Sequence, residues 1–309
     1  MSTVRLWYWR YRLHLRGLVG SRATTTAREG CLIRDFGGGV GCVHPWTELG
    51  DAPLDDQLAA LAAGRPTNLG QQALLCAEAD GLARRQGRSL FAGLRVPPSH
   101  WTAGPDFVEP PDGFRAIKLK SIGQLARYRE AFPDHRLRLD FNENLTPVEF
   151  RDFWLGLDAD TRAAIEFVED PVPWDAVVWR ELRIDLGVPL AADRDVMTRA
   201  AEADWLVIKP ATINAVEPGE FAWRSGRRVA FTSYLDHPIG QLHAAWRAAE
   251  CAGIFGDRLG DCGLVTHPLF EPDAFSERLA LDGSRLVPPA GTGLGFDDLL
   301  EALPWKPLT

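Results

Sequence analysis

Arg115-Ala116-Ile117-Lys118-Leu119-Lys120 is the stretch on which the fold turns. Ile117 and Leu119 alternate with Lys118 and Lys120, a period of two that predicts a β-strand. Both ammonium groups then point to one side, roughly 7 Å apart along the chain. An exposed edge strand would look the same, so the lysine pair decides nothing alone. The runs downstream decide it. Four more strand-like segments end in a charged residue, at Asp140, Glu169, Asp193 and Lys209.

From Arg115 onward strands alternate with helices. The pattern predicts strands at 116–120, 136–142, 164–169, 189–193, 205–209 and 228–232. It predicts helices at 124–131, 147–157, 176–186, 197–203 and 241–252, with a short piece after Asn214. Repeated βα units make a parallel sheet. Polar residues at the ends of many successive strands favour a closed barrel, whose strands all end on one face, over an open sheet with one switch point. No glycine-rich phosphate loop follows a strand. The Gly291-Thr292-Gly293-Leu294-Gly295 run follows Pro288-Pro289 and is read as a loop.

The first 95 residues read differently. Leu6 to Leu15 alternates as a strand, with Trp7, Trp9, Tyr11, Leu13 and Leu15 on one face. Gly30–Asp35 and Val40–Val43 complete a meander around the Gly37-Gly38-Gly39 turn, and helices follow at 54–63 and 69–86. Pro97-Pro98 and the Pro/Gly-rich run at 104–113 mark a boundary. The expected organisation is an α+β domain of residues 1–95 joined by about 287–309, with a barrel at 96–286 that carries the polar strand ends.

Composition bounds the function. The chain has 309 residues, 46% hydrophobic and 25% charged, a net charge of −8 and a pI near 5.4. That acidic balance argues against nucleic-acid or anionic-membrane partners. No signal-peptide core or membrane-length apolar run is present, and the five cysteines form no C-x-x-C pair. A cytoplasmic protein with reduced thiols is the expectation, its partner a small carboxylate.

Three carboxylates at successive strand ends would repel unless paired or bound to a cation. Each could instead cap a helix or pair with arginine. Taken together, Asp140, Glu169 and Asp193 make a hard-cation site, for Mg²⁺ with Mn²⁺ as substitute. Lys118, Lys120 and Lys209 flank them from opposite walls of a closed barrel. Lysine held near other cations and partly desolvated can serve as a base, and a metal beside it favours proton abstraction next to a carboxylate.

This arrangement resembles the enolase superfamily, in its muconate-lactonizing subgroup. The resemblance rests on Lys118-Leu119-Lys120, Leu137-Arg138-Leu139-Asp140-Phe141-Asn142, Phe167-Val168-Glu169-Asp170-Pro171 and Val207-Ile208-Lys209-Pro210. Gly39-Val40-Gly41-Cys42-Val43-His44-Pro45 and the late glycine run look like the family's capping-domain passages. The resemblance implies an α/β fold, a (β/α)7β modified TIM barrel with an N-terminal α+β capping domain completed by the C-terminal segment. It implies Asp140, Glu169 and Asp193 as metal ligands, Lys120 as base, Lys209 as the cation over the opposite face, and Lys118 as the neutralising neighbour. It further implies substrate contacts from Arg138, Thr232, Ser233 and a Gly263 amide. The three strand-end runs look most like the subgroup's syn-dehydratases of menaquinone biosynthesis, which act on a succinyl-hydroxycyclohexadiene carboxylate. An N-acylamino-acid racemase, a dipeptide epimerase and a non-catalytic carboxylate-binding barrel are the alternatives. Two departures stand out: Cys42 replaces the capping passage's glutamate, and Asp193-Arg194-Asp195 offers a second carboxylate, Asp195, beside the third ligand.

Overall fold

The computed structural model describes residues 5–18 and 24–309. Met1–Val4, at the head of the N-terminal aromatic run, lie outside the described residues. Three antiparallel strands come first: β1 (Leu6–His14), β2 (Ala27–Asp35) and β3 (Val40–Val43). Helices α1 (Leu54–Ala62) and α2 (Asn68–Arg85) follow. Pro53 precedes α1, where its fixed φ suits a helix entry, and the Thr67 hydroxyl caps α2 by accepting from the Gly70 amide at 3.2 Å. β3 packs on α2 through glycine. A Cβ on Gly41 would stand 2.0 Å from the Ala73 carbonyl oxygen, so no side chain fits there.

The barrel begins with β4 (Trp101–Thr102), a two-residue strand too short to show a period in the sequence. Then come β5 (Ala116–Leu119), α3 (Ile122–Ala131), β6 (Arg136–Asp140), α4 (Pro147–Gly156), the short α5 (Ala159–Ala164), β7 (Ile165–Glu169), α6 (Ala176–Ile184), β8 (Leu190–Ala192), α7 (Val196–Arg199), β9 (Trp205–Ile208), α8 (Val216–Ser225), β10 (Arg228–Phe231) and α9 (Pro238–Phe255). Thr146, Pro147 and Glu149 form a capping box at α4. The seven strands are parallel, in the order β10-β9-β8-β7-β6-β5-β4. Residues 260–263 join the two edges: the Gly260 and Gly263 amides donate to Val229 and Phe231 on β10, and the Cys262 amide donates to Pro98 before β4. The His100 amide donates back to the Cys262 carbonyl at 2.7 Å. This eighth position closes the sheet into a barrel.

Period-two alternation sorts the strand residues. Ile117, Leu119, Leu137, Leu139 and Val168 belong to the main core. Phe167, Ala191, Trp205, Val207 and Ala230 form a separate apolar cluster inside the barrel. Above that plug the next inward residues of each strand are Lys120, Asp140, Glu169, Asp193, Lys209 and Thr232.

After the barrel the chain forms the hairpin β11 (Ala280–Asp282) and β12 (Arg285–Val287), helix α10 (Asp297–Ala302) and strand β13 (Lys306–Pro307). β13 pairs with β1, extending the first sheet to the order β13-β1-β2-β3. The glycine run docks on α2: the Leu294 amide donates to the buried Asp80 carboxylate at 2.6 Å. All five cysteines are unbridged, four of them buried. No helix among the described residues is long and apolar enough to cross a membrane.

Two outcomes test this packing. Gly41→Ala should cost about 1–3 kcal/mol in urea unfolding, because strand and helix must part; an unchanged midpoint would mean the contact yields freely. His243 on α9 is buried, which pushes its imidazole down to about 3. Below pH 6.5 the unfolded chain takes up a proton that the folded one refuses, so stability from this group is lost as pH falls toward that value. In His243→Gln the slope of unfolding free energy between pH 4 and 6 should be shallower by up to about 1.4 kcal/mol per pH unit. An identical slope in both proteins would contradict it.

Candidate active site

A cleft opens at the carboxyl ends of the barrel strands. Lys118, Lys120, Asp140, Lys209, Thr232, Ser233 and Gly263 line it, and Trp46, Glu48 and Leu49 from the N-terminal domain roof it. Asp193 lines the adjoining cleft, which it shares with Lys209.

The register explains the convergence. Asp140 pairs with Glu169 across β6 and β7, and Glu169 with Ala191, two residues before Asp193. Lys118 Nζ donates to both Glu169 oxygens at 2.8 Å and lies 3.0 Å from Asp140 Oδ2. Lys120 Nζ donates to the same Asp140 oxygen, also at 3.0 Å. Lys209 pairs with Asp193 and stands over the Tyr234 ring, 5.6 Å from its centroid.

Burial alone would lower the Lys118 ammonium, but Asp140, Glu169 and Asp193 outweigh it and raise it above the ordinary lysine range. Lys209 is raised in the same way, chiefly by Asp193. Carboxylates are the nearest charges of both. Burial would raise Asp140, yet the three lysines together hold it well below the usual carboxylate range. Glu169 goes the other way. Its burial, reinforced by Asp140 and Asp193, pushes it up despite Lys118.

Among the described residues no three ligand-type side chains stand already gathered into a metal cage. Three features nonetheless fit a hard cation. The donors are carboxylates, they sit on adjacent strands, and Asp193 Oδ1 is buried without a hydrogen-bond partner. Asp195 does not join them. Its side chain is 81% exposed and its nearest cationic neighbour is Arg199, at 3.8 Å. Asp170, not Asp195, shapes this corner: its carboxylate accepts from the Arg194 amide at 3.0 Å and fixes the turn that carries Asp193. Nor does Asp170 cap the following helix, a task that Asp175 performs.

Two substrate contacts expected from the sequence need correction. Arg138 is fully buried beneath the cleft and does not line it. Its guanidinium is occupied by Glu166 at 2.7 Å, the Asp261 carbonyl at 2.6 Å and His100 Nδ1 at 2.7 Å, and lies over the Phe167 ring. The bulge in β7 opposite Leu137 and Arg138 accounts for Glu166 turning to meet it. The Gly263 amide is spent on the Phe231 carbonyl at 2.7 Å, so Gly263 borders the cleft only through its missing side chain. Thr232 and Ser233 remain as hydroxyl donors. Thr232 Oγ1 is buried without a partner, and Ser233 Oγ bonds Thr266 Oγ1 at 2.7 Å.

The sequence pattern missed the roof and the floor. Cys42 lies under the roof, its Sγ 3.2 Å from the Tyr11 hydroxyl, and does not border the cleft. Trp46 does. Its indole Nε1 donates to the Tyr234 carbonyl at 2.8 Å, its amide to Asp51 at 2.8 Å, and Asp51 also accepts the Tyr234 hydroxyl at 2.9 Å. Arg28 stacks on the Trp46 ring at 4.0 Å and pairs with Glu48. Arg194 reaches from the barrel to the Leu49 carbonyl at 3.3 Å. Thr102 enters from the two-residue β4 and His100 from the residue just before it, where no periodicity could announce them.

Comparison with known proteins places this architecture. Residues 6–83 match the family model described as O-succinylbenzoate synthase, N-terminal domain, and residues 110–298 match Enolase C-terminal domain-like. An o-succinylbenzoate synthase from Bdellovibrio bacteriovorus is 32% identical over 326 residues, covering 99% of each chain. Among solved structures, the L-Ala-D/L-Glu epimerase from Bacillus subtilis superposes with a TM-score of 0.76 at 20% identity, covering 96% of this chain and 98% of its own. A dipeptide epimerase from Cytophaga hutchinsonii, complexed with Mg and the dipeptide D-Ala-L-Val, gives 0.75 at 16%, covering 99% and 100%.

The roof yields a test. Trp46→Phe keeps the ring but removes the donor to Tyr234, a loss of about 1 kcal/mol in unfolding free energy. Hydrogen exchange at the Leu49, Gly50 and Asp51 amides should accelerate while the β6 and β7 amides keep their protection. Unchanged exchange in the loop would show that this hydrogen bond does not hold the roof.

Proposed function

Because the chain belongs to the o-succinylbenzoate synthase family of the enolase superfamily, a family of carbon–oxygen lyases, we propose that it catalyses a Mg²⁺-dependent syn-dehydration. The substrate is 2-succinyl-6-hydroxy-2,4-cyclohexadiene-1-carboxylate, the product o-succinylbenzoate, and the setting menaquinone biosynthesis. One observation carries the reading: Lys120 and Lys209 border the same cleft, each beside a carboxylate at the end of its strand.

In this reading Lys120 Nζ takes the proton from the ring carbon next to the carboxylate. The same nitrogen then returns it to the departing hydroxyl on the same face, so a C–H and a C–O bond break, water leaves and the ring becomes aromatic. Lys120 is paired with Asp140 and acts as base once that carboxylate is engaged elsewhere. Lys118 neutralises the substrate carboxylate. Lys209 keeps its proton and stabilises negative charge from the opposite wall. Asp140, Glu169 and Asp193 would hold the divalent cation, which when bound would supply Lewis-acid stabilisation of the negative charge that builds on the substrate carboxylate as the adjacent carbon loses its proton.

Racemization of an N-acylamino acid is the second reading, favoured by the same pair of lysines on facing walls. A dipeptide epimerase is less well served. Asp273, in the segment considered for holding a substrate ammonium, instead accepts from the Phe275 and Ser276 amides in a turn.

Two experiments decide. Millimolar Mg²⁺ should raise the thermal midpoint of the wild type but not of Asp140→Ala or Glu169→Ala, and exhaustive chelation should abolish turnover. Activity that survives chelation would sink the metal assignment. Lys120→Ala should lose dehydration by at least about a hundredfold, the scale of general acid–base catalysis. Lys209→Arg keeps a cation without a usable base, so it should retain part of the dehydration and lose any racemization. Equal collapse of both, with substrate still bound, would mean that Lys209 transfers a proton and that the one-base mechanism is wrong.

A further inference from the structure

We propose that His100 is a substrate-binding residue: a neutral imidazole that presents its Nε2–H at the floor of the cleft to an oxygen acceptor, carboxylate or carbonyl, of the bound molecule. The inference rests on the carboxylate reading above for its ligand, but on geometry alone for the donor.

The geometry begins with Arg138. A guanidinium nitrogen can only donate, so His100 Nδ1, 2.7 Å from Arg138 Nη1, must be the unprotonated acceptor. The ring proton therefore sits on Nε2. An imidazolium would direct an N–H at an N–H, and burial together with the Arg138 charge keeps His100 well below the ordinary histidine range. Arg138 itself cannot swing away, since Glu166 and the Asp261 carbonyl hold it from the other sides.

Nε2 points where a ligand would be. Among the described residues no protein acceptor bonds it, yet it is not one of the buried orphan atoms, unlike Nε2 of His44 and of His237. It lies against Gly263, so closely that a Cβ there would stand 3.0 Å from Nε2, 2.9 Å from Cε1 and 2.8 Å from Thr232 Cγ2, and the missing side chain is what leaves this edge of the imidazole uncovered. Both residues border the cleft, and the Thr232 hydroxyl beside them lacks a partner. Two donors without a protein partner thus belong to residues that border the same cleft. The neighbouring lysines are occupied by carboxylates, so this is where the cleft offers uncharged donors. Arg138 behind the ring polarises the N–H without placing a net charge in the cleft, which suits an oxygen that bears partial or full negative charge.

The test uses the full-length protein. In ¹⁵N spectra of histidine-labelled, ligand-free protein His100 should appear as the neutral Nε2–H tautomer across pH 6–8; an Nδ1–H or charged ring overturns the proposal. Titration with o-succinylbenzoate and, separately, with benzoate should move the Nε2 proton downfield. A shift with both assigns the acceptor to the ring carboxylate, and a shift with o-succinylbenzoate alone assigns it to the succinyl arm. Ligand binding measured by calorimetry with the signal unmoved overturns the proposal.

Variants separate a binding role from a structural one. His100→Ala should raise KM about tenfold with a smaller change in kcat. His100→Gln, whose amide reaches toward the Nε2 position, should recover most of the loss, and Gly263→Ala should reproduce it, because the added Cβ crowds the imidazole edge that carries Nε2. Equal KM in all three variants and the wild type, or no rescue by Gln, overturns the proposal. Dehydration with an unmoved His100 signal would fail this inference alone. Binding through His100 without dehydration would instead fail the functional reading.

Discussion

Three ammonium groups and three carboxylates share the mouth of one barrel, and the rest of the molecule is arranged to keep them there. A lone charge at the burial of Lys118 or Glu169 would cost several kcal/mol, so neither position is tenable without the other. Strand register supplies the match. Asp140 and Glu169 are cross-strand neighbours, and Lys118 stands one strand away from Asp140 with both carboxylates in reach. Below them the apolar plug of Phe167, Ala191, Trp205, Val207 and Ala230 excludes water, which strengthens every one of these interactions. Burial, reinforced by its acidic neighbours, pushes Glu169 up, while three lysines hold Asp140 down.

What the sequence announced and what it hid follow one physical rule. Period-two alternation marked β5, β6, β7 and β9 together with the charged residues that end them or directly follow them, because a strand of four or five residues shows its faces. β4 has two residues, and the closing segment at 260–263 makes only isolated bridges, so neither has a period to read. His100 was lost with β4. Arg138 was seen but misplaced, since alternation puts it inward beside Asp140 without telling at what depth a long side chain finds its partners. The Gly263 amide was misjudged for a related reason: whether a backbone donor is free depends on the strand across from it, here β10. α5 escaped because six residues capped by Asp158 carry too little pattern to separate from the strand that follows.

The roof obeys a different logic from the mouth. Its residues come from a loop, and they are fixed by hydrogen bonds to barrel-strand ends rather than by a ladder. Where the family's capping passage carries a glutamate, Cys42 packs on Tyr11, and Tyr11 bonds His44. Burial raises the Cys42 thiol and holds His44 neutral, so this corner carries no charge toward the cleft. The charge that does reach the roof is Glu48, and Arg28 restrains it from behind. Arg194 takes part in the same exchange. It stands directly after Asp193, yet its guanidinium serves Glu143 and the Leu49 carbonyl and ties the roof to the strand end that bears the third carboxylate.

Mouth, roof and floor therefore differ in how freely they can vary. The mouth is bound by charge balance on rigid strands, so replacing one member leaves another buried without a partner. The roof is a loop whose side chains can change as long as Trp46 and Asp51 keep their anchors on Tyr234. The floor lies between these extremes. His100 is held because Arg138 fixes its tautomer, yet its uncovered edge depends on residue 263 having no side chain. A barrel built this way can hold its charge balance constant while the parts above and below it vary.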